Sequence, residues 1–324
     1  MVSLPVSRLE ELQKHFRTHD RIKEYPAHSA RVHSVGWNCS GTRLASGSFD
    51  KSVAVFSLEK DKLTKEHTYR GHSGSVDQLC WHATNPDLLA TASGDKSVRI
   101  WDTKSQKCVA NVSTKGENIN ITWAPNGKMI AVGNKEDLIS FIDVRTFKIR
   151  IEKQFNFEVN EIKWNLETTE FFLTSGQGSI HVLGFPELKT LEVVKAHPGT
   201  CICIDMSPSG KYFATGSADA LVSLWDIEDM ACVRVFTRLD WPVRSVSFSY
   251  DGQLLASASE DLFIDISETE TGLHVTDVTV ESPSFSVAWH PHHYLLAYAC
   301  DDKDQYDRKR DSGGLKVFGF SNES

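Results

Sequence analysis

Hydrophobic and polar positions alternate along most of this chain in short runs that suit strands, and the runs recur in a fixed order. Between Gly71 and Asp102, the apolar positions Val76, Leu79 and Trp81 predict a first strand. LLATAS at Leu88 predicts a second and SVRIWD a third, with a polar turn between the first two and a tight turn at Gly94-Asp95-Lys96. A large apolar residue closes the first strand of each unit at Trp37, Trp81, Trp123, Trp164, Met206, Phe248 and Trp289, a spacing of 41–44 residues. Polar turns such as APNG, SPSG and SYDG follow most of these positions. The third strands are rich in β-branched and aromatic residues, which suits burial between packed sheets.

Seven such units, some bracketed by Gly-His and Trp-Asp, predict an all-β fold, a seven-bladed WD-repeat β-propeller. The seventh unit reaches Phe320 without an outermost strand, and residues 21–25 (RIKEY) can supply it. The propeller is therefore expected to span 21–324, with its ends sharing one blade and no open edge. Residues 1–20 form a short helical extension. Ser7-Arg8-Leu9-Glu10 is a capping box, and Leu9, Leu12 and Phe16 fall on one helical face. Two uses of that face stay open: packing on the propeller, or docking of a partner on Leu9, Leu12 and Phe16.

Two units carry the ingredients of a nucleophilic triad. Unit 2 has His72, Thr91, Asp95 and Trp101, and unit 5 has His197, Thr215, Asp219 and Trp225 at closely matching offsets. Both sets match the WD-repeat tetrad, a hydrogen-bonded network that locks a turn to a loop. Unit 1 holds a partial version, His28, Ser46 and Asp50, with Phe56 in place of Trp. Constellations repeated as turn hardware argue against an enzyme. His290-Pro291-His292-His293 occupies a turn with no second ligand cluster, so no metal is expected. No phosphate-binding glycine loop, cofactor or small-molecule substrate is expected either.

Composition narrows the partners. The 324 residues carry a net charge of −8, an unsuitable balance for a chain whose main task is gripping nucleic acid. Seven cysteines without Cys-x-x-Cys spacing point to a reducing compartment. No apolar run approaches the length of a membrane span, and no signal peptide is evident, so a cytosolic or nuclear protein is expected.

Departures from the repeat mark candidate partner contacts. Asp240-Trp241-Pro242 replaces Gly-His before unit 6, and exposed tryptophan is a recurrent interface anchor. Unit 7 carries a charged insertion at residues 301–311, including Asp301, Asp302, Asp304 and Tyr306, where other units have a tight turn.

At these departures the sequence becomes individual. GENINITWAPNGK (116–128), FEVNEIKW (157–164), KYFATGSADALVSLWD (211–226), RLDWPVRSVSFS (238–249), LASASEDLFIDI (255–266) and ACDDKD (299–304) resemble the subunit 3 family of the THO complex. The similarity runs from about His28 to the C-terminus. It implies a WD-repeat subunit without catalysis in a nuclear assembly that packages nascent messenger RNA for export. Such a subunit is held on a large helical scaffold subunit, alongside an RNA helicase and export adaptors, with RNA contact indirect or weak. A generic propeller adaptor, such as a ubiquitin-ligase substrate receptor or a chromatin-peptide reader, is the alternative. It calls for ligase-docking surfaces or for an acidic or aromatic top pocket, which the sequence alone does not display.

Overall fold

In the computed structural model, which describes residues 7–301, 303 and 312–322, the alternating runs become seven antiparallel four-stranded sheets. Each sheet is one blade of a propeller, and in six of the seven the strands run outward in sequence order. Buried residues of neighbouring blades interdigitate, as where Val53, Val55 and Tyr69 of blade 1 meet Val76, Leu79 and Trp101 of blade 2. Inner strands carry a bulge near their start, between Val76 and Gln78 in blade 2 and between Val243 and Ser245 in blade 6. The bulge adds twist where the strands crowd around the central channel.

In blades 1 to 5 the hairpin between second and third strands places one residue in the left-handed region. Lys51, Lys96 and Ala220 take φ of 70°, 63° and 66°, and Gly178 takes 75°. A side chain there is strained, and in blades 1, 2 and 5 the turn aspartate just before it (Asp50, Asp95, Asp219) offsets the strain with several hydrogen bonds.

Blade 7 is assembled from both ends of the chain. The strand Arg21–Pro26 pairs antiparallel with Gly314–Phe320, bringing Lys23 opposite Val317 and Tyr25 opposite Leu315.

The helix Arg8–Thr18 begins with the capping box expected of it: Ser7 Oγ accepts from Glu10 N, and Glu10 accepts from Ser7 N. Its apolar face fills the groove between blades 6 and 7. Phe318 stands in blade 7 where Trp101 stands in blade 2, since each pairs with the leucine that opposes the inner-strand tryptophan. The smaller Phe318 leaves room, and Phe16 stacks on it with centroids 5.6 Å apart. Leu12 and Phe16 are each 2 % exposed, and the partly buried Leu9 packs on the same cluster. Of the two uses left open for this face, packing on the propeller is the one seen for Leu12 and Phe16, which are too covered to be the partner contacts that were the other candidate reading.

Candidate interaction surface

The tetrads fix the face on which the loops sit. In blade 2, His72 Nδ1 lies 2.8 Å from Asp95 Oδ2 and its Nε2 2.8 Å from Thr91 Oγ1. Trp101 Nε1 donates to the same hydroxyl at 2.9 Å. Asp95 also accepts from the Ser73 N–H at 2.9 Å and from Ser97 Oγ at 2.6 Å. Burial pulls the Asp95 carboxyl up, but the bonds from Ser97, Ser73 and His72 outweigh it and hold the pKa at about 2. Burial lowers the His72 pKa, with Asp95 opposing.

Blade 5 repeats half of this network. His197 bonds Asp219 at 3.1 Å and Thr215 at 3.0 Å, but the buried Trp225 Nε1 has no hydrogen-bond partner. The expected fourth member of that tetrad is therefore not engaged: the indole lies parallel to Phe213, its face given to packing. In blade 1, His28 bonds Ser46 at 2.9 Å and Asp50 at 3.1 Å, and Phe56 has no N–H to add.

The remaining candidate chemistry is also occupied. His290 Nε2 donates to the Gly41 carbonyl at 2.9 Å, and its Nδ1 accepts from the His292 and His293 N–H groups. Burial pushes its pKa down to about 4, so it serves as a neutral turn lock. Among the described residues, the one cluster spaced for a metal is Asp265, His274 and Asp277. The Arg238 guanidinium reaches both carboxylates, at 2.6 and 3.0 Å, so the negative charge a metal would need is already neutralised.

The central channel encloses about 320 Å³ and is lined by both charged and apolar side chains. Gln78 Nε2 donates to Glu161 Oε2 at 2.7 Å across it, and Lys163 Nζ lies 3.1 Å from Asp205 Oδ1. At the mouth, Phe285 lies between Arg31 and Arg244, whose guanidinium carbons are 5.8 and 5.9 Å from its ring centroid. Channel-facing positions escape a sequence reading because they show only once seven inner strands are arranged around one axis.

On the loop face, Trp241 is 57 % exposed and Asp240 is exposed beside it. Blade 6 lacks the tetrad histidine: Leu239, four residues before the inner strand as His72 is in blade 2, is buried instead. Asp261 nevertheless keeps the role of Asp95, accepting from the N–H groups of Asp240 and Trp241, both at 3.2 Å. Leu262, the next residue, is 58 % exposed. Leu262 belongs to none of the repeat's motifs, although its place after a turn aspartate, where blade 2 has Lys96, is a legible signal. Asp301 sits at the channel rim and pairs with Arg31 at 2.7 Å. Asp302, Asp304 and Tyr306 lie outside the described residues.

One complete tetrad, two partial ones and a ring of seven four-stranded blades define a WD-repeat β-propeller. Residues 28–299 match the family described as the THOC3 beta-propeller domain, and the chain belongs to that family. It is 51 % identical over 301 residues to THO complex subunit 3 of Arabidopsis thaliana, covering 92 % of this chain and 95 % of the relative. Similarity to the WD repeat-containing protein AAC3 of Dictyostelium discoideum is 33 % over 323 residues, covering 92 % of this chain and 66 % of that protein. At 25 % over 302 residues, the protein transport protein sec13 of Emericella nidulans shares the repeat pattern across 85 % of this chain and 89 % of its own.

Proposed function

We propose that this protein is a non-catalytic scaffold subunit of a nuclear THO complex, coupling transcription to messenger-RNA packaging and export through protein–protein contacts. It is held on the large helical subunit of that assembly and meets the RNA helicase and export adaptors as a member of it. The family match over residues 28–299 supports the assembly, and the net charge of −8 supports protein contacts over direct grip on RNA.

One observation carries the non-catalytic reading. Both ring nitrogens of His72 are engaged, by Asp95 and Thr91, and the Thr91 hydroxyl is held in turn by Trp101. These are also the bonds of a nucleophilic triad, but here Thr91 is 0 % exposed and His72 is buried with it, so a substrate has no access to the hydroxyl.

The test is purification of the tagged protein from nuclear extract, with nuclease and high salt, followed by identification of the co-purifying chains. Stoichiometric recovery of the THO subunits is expected. Recovery of ligase or chromatin components in their place would overturn the assembly reading in favour of a generic propeller adaptor.

A further inference from the structure

Three loops converge on the rim of blade 6. The backbone bonds of Glu260 N to Pro242 O, at 3.3 Å, and of Val280 N to Leu262 O, at 3.0 Å, hold them side by side. Their outward side chains are Trp241 and Leu262, both more than half exposed, set among Asp240, Glu260 and Glu281. The cations here are already taken up: the Arg244 guanidinium is bonded to Glu260 at 2.9 Å, and Arg238, on the Trp241 loop, pairs with Asp265 and Asp277. Among the described residues, Asp240 and Glu281 form no ion pair.

We infer that this rim is a docking site for a segment of a partner protein that carries apolar side chains together with lysine or arginine. The occupant follows from complementarity. An indole and a leucine side chain bury apolar surface, the two uncompensated carboxylates beside them take up cations, and the indole face adds a cation–π contact. The same carboxylates repel phosphate, which disfavours RNA at this rim. The anchor is preorganised. Asp261 holds the backbone beneath Trp241 from below and Pro242 fixes the next φ, so little loop entropy is lost on binding.

This inference rests on the proposed membership of a THO assembly and names the chemistry of one contact within it. The test co-expresses the full chain with the large helical subunit and the other THO subunits, with a photo-cross-linking benzoylphenylalanine in place of Leu262. The captured peptide is read by mass spectrometry. A partner segment bearing lysine or arginine among apolar residues is expected. Capture of an acidic segment, or of RNA, would overturn the inference.

Two variants accompany it, Trp241→Ala with Leu262→Ser, and Asp240→Lys with Glu281→Lys. Each is expected to weaken assembly roughly 10-fold or more while melting stays unchanged. Wild-type assembly by either variant would overturn the docking site and leave the broader reading standing. Failure of the unaltered chain to co-purify with the other subunits would instead overturn the broader reading.

Discussion

The Asp261 carboxylate accepts the backbone N–H of Trp241 at 3.2 Å, although the histidine that normally shares such an aspartate has been replaced by Leu239. Blade 6 thus keeps the clamp of the tetrad after losing its imidazole. It uses the clamp to hold an exposed tryptophan where blade 2 has Gly74.

Loss of the clamp should therefore be felt as loss of fold stability. Asp261→Ala leaves two N–H groups without their acceptor and frees Ser259 Oγ, which now donates to Asp261 at 2.7 Å. A destabilisation of about 1–3 kcal/mol is expected in chemical denaturation. Trp241→Ala, by contrast, should stay within about 0.5 kcal/mol of the parent, because its side chain is mostly in solvent.

The two tryptophans of the tetrads should behave differently. Trp101→Phe removes a donor that Thr91 Oγ1 receives at 2.9 Å, whereas Trp225→Phe removes an N–H that bonds nothing. The first substitution should cost about 1 kcal/mol more than the second, read as the difference in denaturation midpoints. Equal costs would mean that the Trp101 bond contributes nothing.

Acid should weaken the propeller through its turn aspartates. The Asp95 pKa, held at about 2, lies below its ordinary value of 3.8, so its contribution is complete above about pH 4 and is lost as pH falls towards 2. The lowered pKa of His72 acts in the same direction, since the unfolded chain takes up a proton below about pH 6.5 that the folded chain resists. Asp95→Asn should therefore flatten the stability profile between pH 4 and 2, by about 2 kcal/mol across that window. Thermal melts at half-unit pH steps measure it.

The extension should prove structural. Phe16→Ala vacates a site that is 2 % exposed and stacked on Phe318, with an expected cost of about 3–4 kcal/mol. Deleting residues 21–26 should do more, because it bares the edge of the strand Gly314–Phe320 and opens the ring. Self-association by light scattering is the expected sign. A monomer with unchanged melting would refute the closure.

The repeat was legible in the sequence for a physical reason. Each blade must bury the same alternate positions and turn the same corners, so Trp81, Thr91, Asp95 and Trp101 carry their meaning locally. The individuality of the chain was legible at Asp240-Trp241, because a tryptophan in a loop has no local reason to be there. Other features depended on contacts between distant segments. Whether Leu12 and Phe16 were free or covered turned on the space left beside Phe318, some three hundred residues away. Whether Trp225 completed its tetrad turned on how its ring packed against Phe213, and whether Leu262 and Glu281 belonged with Trp241 turned on which loops met at one rim. Periodicity is a property of the chain. The pairing of one unit's surface with another's exists only after the ring closes.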